Sequence, residues 1–378
     1  MNFSFSEEQQ ALIDAVGRYI DNEYGFEARK QALKEPAQSD ARHWAEFADL
    51  GLLGVNVAEA YGGLGGTAFE SLIVMEAFGR GLVVESYAAS AIGAVALIQQ
   101  AGTETQRETL LPAIVSGELR FALAVQEPGS RYELLPRATR AVADCNDFVI
   151  DGAKSVALGG RADKIILAAR TNGQDHDEAG VSIFCISADA PGLVIDEFPT
   201  LDNQRCAELK LNAVRVTRDA LLGTVDQGYP ALLQAVDRVI AALCAEAVGA
   251  MHCVLEMTFE HLRTRKQFGQ TLGSQQVLQH RAVDLLACVE RSRSMALYAA
   301  SRVDSPDANE RRRAISAAKA FVGRACRRVV KESIQMHGGI GMADELAVSH
   351  FARRLLCIDL TLGDSAYHTQ AFSTLPEV

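Results

Sequence analysis

The chain has 378 residues, 48% of them hydrophobic, enough for two or three domains with ample core. A formal net charge of −11 argues against a general nucleic-acid binder and against an anionic membrane surface. The longest apolar run, Val239–Met251, is interrupted by Glu246, so no membrane span is expected. The start, Met1-Asn2-Phe3-Ser4-Phe5-Ser6-Glu7-Glu8, has neither a basic n-region nor an apolar h-region, which points to a cytoplasmic protein. Cysteines 145, 185, 206, 244, 253, 288, 326 and 357 stand singly with no CxxC pair, and no HxxxH or HExxH occurs. Reduced thiols and no metal site are expected.

In chain order, Ser6 to Gln9 forms a capping box, and Leu12, Ile13, Val16, Tyr19 and Ile20 form one helical face behind it. Helical patterns continue to about residue 118, broken by the glycine-rich loop Glu59-Ala60-Tyr61-Gly62-Gly63-Leu64-Gly65-Gly66. Within them, Phe69–Phe78 and Ala88–Ala101 read as buried helices. From Arg120 the texture changes to short, partly alternating segments: Phe121–Val125, Arg137–Val142, Lys164–Ala168, Val181–Ile186, Gly192–Ile195 and Leu209–Val216. Turn signals separate them at Asn146-Asp147, Asp151-Gly152, Asn172-Gly173 and Asn203-Gln204. Strands in succession without intervening helices predict an antiparallel sandwich or barrel, not a Rossmann sheet. From Gly228 the helical period returns in four segments, roughly 229–263, 275–303, 307–337 and 344–372, the pattern of a four-helix bundle. The expected fold is α+β. It comprises an N-terminal α-helical domain (1–118), a β domain (119–222) and a C-terminal four-helix bundle (223–378).

Two stretches can carry chemistry. Ile315, Ala318, Phe321, Val322, Ala325 and Val329 form the apolar stripe of a helix that runs into Gln335-Met336-His337-Gly338-Gly339-Ile340-Gly341-Met342. Glycines there let a backbone lie against a ligand, and consecutive N–H groups can receive a phosphate; the plain alternative is a C-cap and a turn. Between the first two bundle helices, Arg263-Thr264-Arg265-Lys266-Gln267-Phe268-Gly269-Gln270-Thr271-Leu272-Gly273 puts three cations, an aromatic and two glycines in one turn, with Gln275 and Gln276 following. That set can hold a pyrophosphate and wall an adenine, although a structural turn can carry the same cations. Gln126-Glu127-Pro128-Gly129-Ser130 and Asp151-Gly152-Ala153-Lys154 each read as a turn.

Taken together and in this order, the Glu59–Gly66 loop, Gln-Glu-Pro-Gly-Ser, Asp-Gly-Ala-Lys, Arg-Lys-Gln-Phe-Gly and Gln-Met-His-Gly-Gly-Ile-Gly resemble the acyl-CoA dehydrogenase family over essentially the whole chain. The resemblance implies FAD, an acyl-CoA thioester substrate, oxidation to a 2,3-enoyl-CoA, an acceptor such as an electron-transfer flavoprotein, and an oligomer. It implies that a carboxylate takes the α-proton while the flavin N5 takes a hydride from the β-carbon, in a dry pocket. In the family each flavin is shared across a dimer. Carried over, Arg265, Phe268, Gln276, Gln335, Gly338 and Gly339 become contacts to the pyrophosphate and adenosine of a flavin held by the neighbour.

The receiving half departs from the family pattern. Leu362, in Thr361-Leu362-Gly363-Asp364, stands where the usual base would be. Some members place the base on the first bundle helix before an arginine, and Asp237-Arg238 occupies that position here. Asp237 is then a candidate base of short reach and Arg238 a candidate substrate contact. Gln126 replaces a flavin-facing threonine, Val156-Ala157-Leu158 replaces Trp-Ile-Thr, and Ser130-Arg131-Tyr132 departs from the usual Gly-Ser-Asp. This asymmetry is similar to the base-lacking small subunits of α2β2 acyl-CoA dehydrogenases of the pimeloyl-CoA and steroid side-chain type. It predicts a heterotetramer in which a second subunit carries the base. The alternatives are a self-sufficient homo-oligomer using Asp237 and a non-catalytic acyl-CoA-binding scaffold.

Overall fold

The computed structural model describes residues 5–160, 162–267 and 269–376. In chain order it runs through α1 (Glu7–Glu23), α2 (Phe26–Ala32), α3 (Pro36–Asp49) and α4 (Ala68–Gly81). A π-helical stretch, Ala88–Ala94, continues into α5 (Val95–Ala101), and α6 (Glu104–Val115) follows. The strands are β1 (Phe121–Ala124), β2 (Arg140–Asp144), β3 (Asp147–Leu158), β4 (Lys164–Arg170), β5 (Val181–Ser187), β6 (Leu193–Pro199), β7 (Arg205–Val216) and β8 (Leu221–Leu222). Then come α7 (Tyr229–Thr264), a hairpin of β9 (Lys266–Gln267) and β10 (Gln270–Thr271), α8 (Gln276–Arg302), α9 (Ala308–His337), α10 (Ala347–Leu360) and α11 (Ser365–Thr374). The fold is α+β: helical N-terminal domain, middle sheet, C-terminal helical bundle.

By packing, the chain forms two compact units. One comprises Glu35–Thr67 and Val84–Val239 and is centred on the sheet, whose strand order is β6-β7-β3-β1-β4-β5-β8 with β2 joined to β3 and β4. Neighbours are antiparallel except that β1 runs parallel to β4, as does β2 where Arg140 meets Arg170. The alternating burial of β3 and β7 puts Phe148, Ile150, Leu209, Leu211 and Val214 into a core shared with Ile165, Leu167 and Phe184. The Phe148 and Phe184 rings meet edge to face at 5.2 Å.

The sheet corrects one sequence-level expectation. Asp151-Gly152-Ala153-Lys154 is not a turn but the middle of β3, the longest paired stretch with β7. Gly152 imitates a turn signal for another reason. Its φ is +144°, and a Cβ there would lie 2.5 Å from the Cα of Thr139, so the strand passes too close to the neighbouring chain for any side chain.

The other unit comprises Met1–Lys34, Ala68–Val83 and Ile240–Val378. The Ser6–Gln9 capping box forms as the sequence predicts. α4 and α7 touch backbone to backbone: a Cβ on Gly79 would lie 2.0 Å from the Glu246 carbonyl oxygen, and one on Gly249 1.8 Å from that of Glu76. The Glu246 that interrupts the apolar run pairs with buried Arg354, Nε to Oε1 at 2.5 Å and Nη2 to Oε2 at 2.6 Å. α7 does contain a window long and apolar enough to cross a membrane, mean hydropathy 1.7, unlike the sequence expectation. However, 83% of that window is buried inside the protein, as in a core helix. The fourth bundle segment is not continuous over 344–372, because the chain leaves the helix between α10 and α11 at Thr361–Asp364.

All eight cysteines are free thiols, and no metal-binding cluster occurs among the described residues. Five cysteines are buried, Cys253 and Cys357 are partly covered, and Cys145 is exposed at the β2–β3 turn with φ +56°.

Candidate functional site

Candidate residues occur in both units. In the helical unit, α8 and α9 pack antiparallel, as the pairs Arg281–Glu332 at 3.5 Å and Arg328–Asp284 at 3.1 Å show. At the helical rise this register puts Gln276, at the start of α8, level with the last residues of α9. Gln335 is exposed there. Gly338, with φ +68°, breaks the helix and is followed by exposed Gly339; nothing lies within 4 Å of where a Cβ on either would stand. Gly338 is glycine for its left-handed backbone and Gly339 has open space around it, so the turn leaves its backbone accessible to a ligand on its outer face.

The hairpin between α7 and α8 comes to the same end. His261, near the end of α7, stacks on His337, the last residue of α9, with ring centroids 4.5 Å apart and planes inclined by 28°. One helical turn later is Arg265, whose N–H donates to the His261 carbonyl at 2.9 Å and whose carbonyl accepts from Leu272 at 2.8 Å. Arg263, Arg265 and Lys266 are exposed. The structure therefore gathers Arg265, Gln276, Gln335, Gly338 and Gly339 at one end of the bundle; Phe268 lies outside the described residues. Exposed guanidinium groups, amides and an open glycine backbone fit a pyrophosphate and its ribose.

The loop between α10 and α11 is held from several sides. Buried Lys319, its proton affinity lowered by desolvation, donates to the carbonyls of Ile358 and Asp359 that end α10. Asp359 accepts from Arg327 Nε and, at 3.1 Å, from Ser365 N–H. Asp364 caps α11 by accepting from Ala366 and Tyr367 N–H at 3.0 and 2.8 Å. His368 Nε2 lies 3.1 Å from the Leu362 carbonyl, which can only accept, so that nitrogen carries the proton. Burial and then Lys319 push the His368 pKa down to about 3, keeping the ring neutral. Between these supports Leu362 adopts φ +56° with its side chain 6% exposed, and Gly363 has φ +117° where a Cβ would meet His368. The backbone is tightly defined, but its central side chain is apolar, and both flanking aspartates are engaged in structural bonds.

In the sheet unit, the Gln126–Ser130 and Asp151–Lys154 motifs meet. Lys154 Nζ lies 3.2 Å from Glu127 Oε1, both buried, and Glu127 also accepts from the N–H groups of Arg137, Ala138 and Thr139 at 3.0, 2.8 and 2.9 Å. Burial works to raise the Glu127 pKa, but Lys154 and those N–H groups outweigh it and hold the carboxyl below the ordinary range. Burial lowers that of Lys154. Gln126 bridges to Ser155 and donates from Nε2 to the Arg131 carbonyl at 2.9 Å. Val156 sits at a bulge of β3 with φ +50° and 41% exposed, a small aliphatic group at the bend. Asp237 is fully buried on α7 and interacts with other groups, so it is not the exposed ion pair that a solvated helix face would present; Arg238 beside it is half-buried and also has an interaction partner.

The pairs Glu127–Lys154 and His261–His337 were not visible as pairs in the sequence. The only signal was position: His337 lies inside a glycine motif and His261 one helical turn before Arg265.

Comparison with known proteins gives the family. The acyl-CoA dehydrogenase N-terminal domain matches residues 6–118 and the acyl-CoA dehydrogenase C-terminal domain residues 226–373. Acyl-CoA dehydrogenase FadE12 of Mycobacterium tuberculosis is 31% identical over 357 residues, covering 92% of this chain and 90% of its own. The chain belongs to the acyl-CoA dehydrogenase family. Acyl-CoA dehydrogenases are FAD-dependent flavoproteins, and this chain is an FAD-dependent oxidoreductase of that family acting on acyl-CoA. A glutaryl-coenzyme A dehydrogenase in complex with glutaryl-CoA shares the fold, with a TM-score of 0.90 at 22% identity over 99% of this chain and 96% of that one. The Tcur3481–Tcur3483 steroid ACAD matches with a TM-score of 0.87 at 26% identity over 98% of this chain and 97% of that one. When bound, FAD supplies the hydride acceptor. By exposure and position, Arg265, Gln276, Gln335 and the Gly338–Gly339 backbone are described residues that could hold its ADP half.

Proposed function

We propose that this chain is the base-lacking subunit of a two-component, α2β2 acyl-CoA dehydrogenase that converts an acyl-CoA to its 2,3-enoyl-CoA and passes electrons to an electron-transfer flavoprotein. In this reading it donates pyrophosphate and adenosine contacts to a flavin whose ring and catalytic base belong to a partner subunit. The observation that carries the reading is the α10–α11 loop. Its backbone is fixed by Lys319, Asp359 and His368, yet the side chain at its centre is the buried Leu362, which takes no proton. Asp359 and Asp364 cannot substitute without giving up the bonds that shape the loop. In the sheet unit, Gln126 already bonds within its own turn and Val156 offers no aromatic face, so support for a flavin ring in this chain is weak. The match to a steroid ACAD named as a Tcur3481–Tcur3483 pair supports the two-component reading.

The test is expression of the full chain alone and together with the product of a neighbouring acyl-CoA dehydrogenase gene. Flavin content and enoyl-CoA formation are then measured with an electron acceptor. Activity and stoichiometric flavin are expected only from the pair; a yellow, active protein from this chain alone overturns the reading. One observation favours a second reading: Asp237 is a fully buried carboxylate, the environment in which a base is made effective. A self-sufficient enzyme of that kind would be active alone and would lose enoyl-CoA formation, but not flavin, on Asp237→Asn.

A further inference from the structure

The hairpin that carries Arg265 and the turn that carries Gly338 and Gly339 belong to elements far apart in sequence, and a cofactor spanning both is sensitive to the gap between them. Two observations show how the gap is set. First, the His337 ring is fixed. It is 7% exposed, and its Nδ1 lies 2.9 Å from the Ser333 carbonyl, which accepts, so the ring is oriented by its own helix. The following turn folds closely around it, since a Cβ on Gly341 would come within 3.0 Å of the His337 Cβ. Second, His261 lies flat against that fixed ring and is tied through its carbonyl to the Arg265 N–H. The hairpin itself has two-residue strands, which have little stability of their own.

We propose that the His261–His337 stack is a positioning device that sets the distance between the Arg265 hairpin and the Gly338–Gly339 turn, and through it the affinity for the ADP half of FAD. This rests on the reading that these two loops contact FAD. The aromatic face, rather than a titrating nitrogen, is what the geometry uses. Desolvation, and after it the neighbouring His337 and Arg265, lowers the proton affinity of His261, which favours a ring that stacks through its face.

The experiment measures FAD binding by fluorescence quenching, and displacement by ADP, on the full chain co-expressed with its partner subunit. His261→Ala is expected to weaken both FAD and ADP by about three- to tenfold, the range for losing one aromatic contact, with only a small drop in the thermal midpoint. His261→Phe, which keeps the face and removes both nitrogens, is expected to restore both affinities. His261→Leu, which keeps bulk but no face, serves in place of the alanine variant if that one does not fold. Unchanged ADP affinity in the alanine or leucine variant overturns the stack as the spacer, as does a phenylalanine variant as weak as they are. If the unmutated complex binds FAD but ADP does not displace it, the assignment of the loops to the ADP half fails instead.

Discussion

Lys154 Nζ lies 3.2 Å from Glu127 Oε1, and neither side chain is more than 4% exposed. Through this pair and three backbone N–H groups, the turn after β1 and the entry to β2 are fastened to β3. Glu127→Gln leaves a buried ammonium without its countercharge and is expected to destabilise the protein by about 3–5 kcal/mol, whereas Glu127→Gln with Lys154→Met should cost less than the sum of the single changes. Urea unfolding of the three variants checks this; additive costs would show that the two groups do not act as a pair.

The same carboxyl predicts acid sensitivity. Its pKa is lowered in the fold from 4.5, so its contribution is complete above that value and drains away as pH falls through 4.5 toward the lowered folded value. His368 adds a second loss at higher pH. Its folded pKa of about 3 lies below the ordinary 6.5, so the unfolded chain takes up the proton first, and stability falls as pH drops from 6.5 toward 3. His368→Phe should therefore flatten the stability profile over that interval while lowering stability at neutral pH, where the bond to the Leu362 carbonyl is lost. Equilibrium unfolding at a series of pH values reads both effects.

Close helix contact makes a third prediction. Gly249→Ala places a methyl 1.8 Å from the Glu76 carbonyl oxygen, where rigid backbone cannot yield as a side chain would. A loss of about 3 kcal/mol, at the upper end for overpacking, is expected. Gly339→Ala, with open space around it and no left-handed φ, should leave the melting midpoint unchanged.

Two substitutions separate the mechanistic readings in the assembled enzyme. Leu362→Ala is expected to cost about 2–3 kcal/mol of stability through the lost burial and, under the two-component proposal, to leave turnover unchanged, since that proposal puts the base on the partner. Asp237→Asn is expected to keep enoyl-CoA formation while lowering stability, since a buried, partnered carboxylate is replaced. Abolished turnover with flavin retained would instead make Asp237 the base. Steady-state assays and flavin spectra decide.

Much of this architecture was legible from periodicity and punctuation. The capping box at Ser6, the helices from Tyr229 to His337 and the strands around the Lys164–Ser187 hairpin follow from patterns spanning many residues. What escaped depended on single backbone approaches. Gly152 looks like a turn residue, but only the nearness of Thr139 explains why a strand needs glycine there. The break at Thr361–Asp364 interrupts an apolar pattern that by itself reads as one helix, because the left-handed Leu362 is held by groups from elsewhere, such as Lys319 and His368. At the candidate site, the motifs marked Arg265 and the glycines, while the histidine stack that joins their loops was invisible, since no sequence rule pairs residues 76 positions apart.

The distribution of thiols has a practical consequence. Cys145 is exposed in the β2–β3 turn, while the remaining cysteines are buried or partly covered, with burial pushing the pKa of Cys185, Cys244 and Cys253 up to about 11. A maleimide dye applied briefly near neutral pH should attach first at that turn, giving the unmutated protein a built-in attachment point for energy-transfer measurements.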